Sequence, residues 1–213
     1  MRYLLLLLCL PLLQACTPSQ RSISDTFMQV VSGPKDVAVS DAQIARIPYG
    51  SIYLTLPGTP RLFVAGYQEN GLDHWITRDQ VVFITQNGRL TRTVGYRDNL
   101  LEMTNLTQDP LLNPRNLRDG ASWTRIMRWT EKGNPLSSTV TSRFSPRGQQ
   151  VLTLAGKSVA CQIWQEDVTL EATGDSWQNQ FWVDSLTGQV RQSQQHLGAV
   201  LPVEISLLKP TTP

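Results

Sequence analysis

The sequence predicts a mainly β protein: an antiparallel β-barrel or strongly curled sheet, with one or two short N-terminal helices. Three observations carry this. From Tyr49 onward apolar residues recur with a period of two, as in "SIYLTL", where Ile52, Leu54 and Leu56 share a face. Two β runs flank Asn87-Gly88 in "QVVFITQNGRLTRTVGY", and Asn-Gly readily takes the positive φ angles of a tight hairpin. Turn signals then recur between short runs as far as "LPVEISLLKP".

Two helical patterns precede the strands. Ser24–Val31 has a serine cap and apolar Phe27, Val30 and Val31, and Gly33-Pro34 ends it. Ser40–Arg46 is a second, stopped by Pro48, because the residue before a proline is pushed out of the α region. "RLFVAGY" follows Pro57-Gly58 as a strand and closes at Asn70-Gly71. The segment "RDNLLEMTNLTQDPLLNPRNLRDGAS" holds Pro110 and Pro114 and alternates little, which predicts a long loop with short helices. Beyond it come "SWTRIMRWTEKG", "LSSTVTSRFSPRG", "QQVLTLAG", "KSVACQIWQEDVTLEATG" and "SWQNQFWVDSLTGQVRQSQQHLG". Turns are expected at Gly133-Asn134, Pro146-Arg147-Gly148, Gly156 and Thr187-Gly188.

The first residues have a separate job. After Arg2, the run Tyr3–Leu13 is apolar for about eleven residues, where a bilayer-spanning helix needs about twenty. Leu13-Gln14-Ala15-Cys16 resembles the lipobox of bacterial lipoproteins. The resemblance implies a diacylglyceryl group on the Cys16 thiol, cleavage after Ala15 and an acylated new amino terminus (palmitate is the common acyl group). Three acyl chains at about 0.8 kcal/mol per buried CH₂ make such an attachment effectively permanent. Thr17, rather than Asp, after the cysteine favours the outer membrane by resemblance to lipoprotein sorting rules. The chain thus divides into a cleaved signal peptide at 1–15, a lipidated cysteine and tether at 16–23, and a single β-rich domain at 24–213.

Charge excludes one class of partner. Loss of Arg2 takes the 19 basic residues to 18 against 17 acidic ones, and there is no basic run, so nothing argues for nucleic acid. Cys9 leaves with the signal and Cys16 takes lipid. Cys161 remains as a small core residue of a strand-like run, and no intramolecular disulfide can form in the mature protein. His74 and His196 have no metal-ligand spacing, and no phosphate-cradling loop or nucleophile motif is present, so neither metal nor cofactor is expected. Glu166, Asp167 and Asp184 are the carboxylates to weigh for glycoside hydrolysis, which needs a pair set across a cleft. Glu166 and Asp167 are strand neighbours that point to opposite faces, with Glu166 on the face of Gln162, Trp164, Val168 and Leu170. Asp184 precedes a turn it is suited to support. Among six tryptophans, Trp164 and Trp182 read as core. Trp177, in "TGDSWQNQ", is the one expected to be exposed and able to stack on a sugar ring.

"IPYGSIYLTL", "WITRDQVVFITQNGRLTRTVGY" and "FWVDSLTGQVRQSQQHLGAVLPVEISLLKP" resemble, in this order, the YjbF/GfcB family of lipoproteins, over roughly residues 42–210. That family is associated with group 4 capsule and exopolysaccharide operons. The resemblance implies an antiparallel barrel akin to periplasmic lipoprotein-carrier barrels and carries over no catalytic residue. The expected function is a non-catalytic accessory factor in capsule or exopolysaccharide assembly or export, anchored to the outer membrane through Cys16 and facing the periplasm. Other export proteins or the polysaccharide itself would be its partners. Two alternatives make different demands: a carrier of a lipid or acyl chain requires a large apolar cavity, and a glycan-active enzyme requires convergent carboxylates.

Overall fold

The computed structural model describes residues 36–199 and 201–212. The pattern at Ser24–Val31 and Cys16 both lie outside them. The first described element is helix α1, Asp41–Arg46. Ser40 caps it in a reciprocal capping box with Gln43. Twelve strands follow: β1 Gly50–Thr55, β2 Leu62–Glu69, β3 Leu72–Ile76, β4 Val82–Gln86, β5 Arg89–Val94, β6 Leu100–Met103, β7 Ser122–Glu131, β8 Asn134–Leu154, β9 Lys157–Leu170, β10 Ser176–Asp184, β11 Val190–Leu197 and β12 Leu201–Lys209. Between β6 and β7 lie three 3₁₀ turns, at Leu106–Gln108, Pro110–Leu112 and Pro114–Asn116.

All twelve strands form one sheet in the order β5-β4-β3-β2-β1-β12-β11-β10-β9-β8-β7-β6. Each paired neighbour is antiparallel, and β1 pairs with β12, so the chain is an up-and-down barrel. The seam lies between β5 and β6, the two ends of the sheet and, among the described residues, the only consecutive strands that do not share a ladder. Side chains bridge it. Leu100 N–H donates to Thr93 Oγ1 at 2.9 Å, and Thr93 Oγ1 donates to Asn99 Oδ1 at 3.1 Å. These bonds replace ladder bonds at edges that would otherwise be open to a further strand.

The expected alternation is plain in β7, where Trp123, Arg125, Met127 and Trp129 are buried and Thr124, Ile126 and Arg128 face out. Ile52, Leu54, Trp75, Phe83 and Val168 extend this inner cluster, while Leu111, Leu117, Phe144, Trp164, Phe181 and Val190 make a second. A third small cluster joins Cys161 to Leu152, Leu154 and Trp182.

Two expectations about the strand map need correction. Pro146-Arg147-Gly148 is not a turn between strands. It is a bulge within the 21-residue β8: Pro146 faces Trp164 and Gln149 faces Gln162, so one extra residue is looped out. Gly148 supplies the positive φ and Pro146 needs no ladder N–H there, which is why turn residues suit a bulge equally well. The long segment after Arg97 contains strand β6 as well as short helices; four residues with one edge partner leave no alternation to read.

Close packing limits substitution at Gly66. A Cβ there would sit 2.3 Å from Trp75 Cε3. Trp75 is buried and its indole N–H is held by Thr85 Oγ1 at 2.9 Å, so the ring has nowhere to move. Gly66→Ala is expected to destabilise by about 1–3 kcal/mol, read as a lower urea midpoint at constant slope.

Candidate functional site

Two features stand out once the barrel is closed: a charge cluster inside it and a groove at one mouth. Arg89 opens β5 directly after the Asn87-Gly88 turn and points inward. Its Nε pairs with Asp109 Oδ2, its Nη2 lies 3.2 Å from Asp109 Oδ1, and its Nη1 donates to Glu166 Oε2 at 2.9 Å. Asn179 Nδ2 donates to the same Glu166 oxygen at 2.9 Å. Arg125 Nη1 lies 3.6 Å from Glu166 Oε1 and donates to Ser142 Oγ at 3.0 Å. The guanidinium carbon of Arg89 lies 4.7 Å from the Trp123 ring centre and 5.0 Å from that of Phe181, and that of Arg125 lies 4.1 Å from Trp123. Arg89 therefore sits between the two inner clusters, with aromatic faces covering what carboxylates do not.

The charges respond to this setting. Burial alone would raise the Glu166 pKa, but Arg89 and Arg125 overcome it and hold the carboxyl at about 2. Burial pulls Arg125 down to about 10, because Glu166 and Asp109 offset only part of the desolvation and Arg89 adds repulsion. Burial also works against the charge of Arg89, but Asp109 and Glu166 raise its pKa overall. Two arginines and two carboxylates make a neutral, fixed unit. A carboxylate so low and so tightly paired cannot serve as a proton donor near neutral pH.

Asp167, next to Glu166, faces outward and is bonded by Gln165 and Gln178, so the two carboxylates share no cleft, as alternation predicts. Asp184 accepts the backbone N–H groups of Leu186 and Thr187, the turn-supporting role expected of it, and they lower its pKa against the effect of burial. His74 stacks on Tyr67 with ring centres 5.0 Å apart. His196 Nδ1 lies 3.2 Å from Asn179 Oδ1, and burial lowers its pKa. Burial raises the Cys161 pKa, which opposes thiolate formation. Among the described residues no three His, Cys, Asp or Glu side chains gather as a metal site.

Trp177 is placed differently from expectation. It opens β10 opposite Val168, and this register turns it onto the inner face, half-buried, with its ring 5.7 Å from His196. Strand pairing, which local turn residues do not reveal, decides its side.

The mouth groove is built around the β4–β5 hairpin tip. Asn87 Nδ2 donates to Leu111 O, and Gln195 Nε2 donates to Gly88 O at 2.7 Å, so the tip is clamped between β11 and the 3₁₀ segment. Gly88, at φ 79°, lies against Val190: a Cβ there would be 2.5 Å from Val190 Cβ. Beside the tip is a cleft of about 340 Å³ with Ile52, Ile205 and Leu207 among its apolar lining and Gln68, Gln86 and Gln192 among its polar side chains. A second cleft of about 370 Å³ adjoins it, sharing Asn87, Leu112 and Gln189. Arg89, Arg125, Asp109 and this groove are absent from the sequence-based candidates. Arg125 could have been found from its inward register between Trp123 and Met127; its partners could not.

The comparisons with known proteins agree with the fold. The chain is 46% identical over 212 residues to the uncharacterised lipoprotein GfcB of Escherichia coli K12, covering 99% of each. It is 39% identical over 207 residues to the uncharacterised lipoprotein YjbF of the same strain, covering 96% of each. The crystal structure of the hypothetical lipoprotein YmcC from Escherichia coli K12 matches with a TM-score of 0.82 at 42% identity, over 92% of this chain and 98% of that one. Such relatives imply membrane association and a place in the cell envelope. A family model described as "Group 4 capsule polysaccharide lipoprotein gfcB, YjbF" matches residues 24–208, and with relatives of this identity the chain belongs to the YjbF family of lipoproteins.

Proposed function

We propose that this protein is an outer-membrane lipoprotein, anchored through Cys16 and facing the periplasm, that serves as a non-catalytic accessory factor in assembly or export of a capsule or exopolysaccharide. The observation that carries this reading is a barrel interior given over to packing, in a chain whose family description names capsule polysaccharide. Between the two inner clusters the space is taken by Arg89, Arg125, Asp109 and Glu166, each a few per cent exposed or less. This favours an accessory role over an acyl-chain carrier, which requires an apolar cavity. It also favours it over a glycosidase, whose acid must be able to give up a proton at working pH. The partners on this reading are other export proteins or the polysaccharide. Trp177 is a candidate glycan contact at the end of β10 remote from the groove.

The test is surface and secreted polysaccharide in a deletion strain, restored with wild type, Cys16→Ser or Trp177→Ala. Deletion is expected to abolish or sharply reduce polysaccharide. Cys16→Ser should fail to restore it at equal protein level, with the protein lost from the outer-membrane fraction. Unchanged polysaccharide in the deletion strain, under conditions where it is made, removes the accessory role. Full restoration by Trp177→Ala removes that residue as a glycan contact.

A further inference from the structure

The two adjoining clefts form one groove that turns around the Asn87-Gly88 hairpin tip, and their chemistry is specific. We propose that this mouth groove binds an uncharged stretch of a glycan chain. The proposal rests on the glycan-pathway reading above and adds to it the site and the ligand class.

Four features carry it. First, the groove presents amides with capacity to spare. The Gln86 side chain has no hydrogen-bond partner among the described residues. The Gln189 amide oxygen accepts from Arg191 at 2.8 Å while its NH₂ is free. An amide offers a donor and an acceptor side by side, which matches vicinal hydroxyls. Second, charge is sparse. Asp73 and Arg191 are the first cleft's opposite charges: Asp73 accepts from Gln68 and Thr211, and Arg191 donates one N–H to Gln189. Arg115, the charged residue of the second cleft's lining, donates to Leu186 O. Against Asp73, two separate arginines make no continuous cationic row of the kind that selects a polyanion. Third, the exposed Leu112, shared by both clefts, and Leu207 give the groove an apolar side, suited to the C–H face of a sugar ring, while the amides are too many for an acyl chain to cover without leaving polar groups unpaired. Fourth, the groove is preorganised. Leu111 and Gln195 hold the hairpin tip, and Asp109 ties the 3₁₀ segment to Arg89, so binding orders few groups. Two clefts of about 340 and 370 Å³ sharing three residues suit consecutive sugar units better than a single one.

The experiment uses the full-length acylated protein in detergent micelles. The probe is the producing strain's own surface polysaccharide, partially hydrolysed and split by anion exchange into neutral and acidic oligosaccharides. Binding is read by saturation-transfer NMR and calorimetry. The neutral fraction is expected to bind, and the double variant Gln86→Ala/Gln189→Ala to weaken it at least tenfold with an unchanged thermal melt. Binding of the acidic fraction alone, no binding of either fraction, or equal binding by the folded variant overturns the proposal. If the deletion strain loses polysaccharide while the protein binds neither fraction, the groove assignment falls and the accessory role stands.

Discussion

Glu166→Gln is expected to lower the stability of the folded protein by about 3–5 kcal/mol, a large part of the 5–15 kcal/mol typical of a domain. The substitution keeps the shape and removes the charge. Arg89 and Arg125 are then left with Asp109 alone, and the new amide N–H points at a guanidinium whichever way the amide turns. The side chain is fully buried, so water cannot compensate. The pH dependence identifies the cause. In the folded protein Glu166 titrates at about 2, against an ordinary value of 4.5. Between those values the unfolded chain binds more protons than the native one, so stability rises with pH through that window and is fully present above it. Wild type and Glu166→Gln should therefore differ most above about pH 5 and converge toward pH 2. A gap that stays constant from pH 7 to pH 2 in urea titrations would mean that the carboxylate contributes by shape and not by charge.

Asp109→Ala should act on the same unit from the other side, again at a cost of about 3–5 kcal/mol, because it leaves Arg89 half-paired inside the barrel. It has a second effect that Glu166→Gln lacks. Asp109 also accepts the Leu111 N–H at 3.0 Å and so caps the 3₁₀ turn at Pro110–Leu112. Leu111 in turn packs in the second inner cluster, and its carbonyl holds the Asn87 tip. Hydrogen exchange should accelerate over residues 106–117 and at the hairpin tip well before global unfolding, while the β9–β10 ladder stays protected. Uniform acceleration across all strands would show that the segment is not a separable unit. A cost below about 1 kcal/mol would show that Arg89 finds another partner when Asp109 is gone.

These expectations also mark what was readable in the chain. The alternation in "SIYLTL" put Ile52, Leu54 and Leu56 on one face, and all three are buried. Asn87-Gly88 is the hairpin it announced, because both residues take positive φ, at 44° and 79°. The face assigned to Glu166 was correct, since side chains alternate along any strand. Its partners were not readable: Arg89 is 77 residues away in the chain and meets Glu166 only when the barrel closes through β1 and β12. Pro146-Arg147-Gly148 was misread because turn and bulge make the same demand on local backbone. Trp177 lies inward because its register with Val168, not its neighbourhood in sequence, chooses its face.

By itself, then, the sequence determined what depends on neighbours along the chain: an antiparallel β architecture, its tight turns, the capped α1 and a lipobox-like start. Period-two hydrophobicity and turn chemistry act over a few residues, and they are visible wherever those residues stand. The tertiary structure alone decided what depends on closure: the paired charges of Arg89, Arg125, Asp109 and Glu166, and the amide-lined groove at the mouth. Both are built from strands and loops far apart in the chain, and a buried ion pair or a groove exists only where several of them arrive at one place.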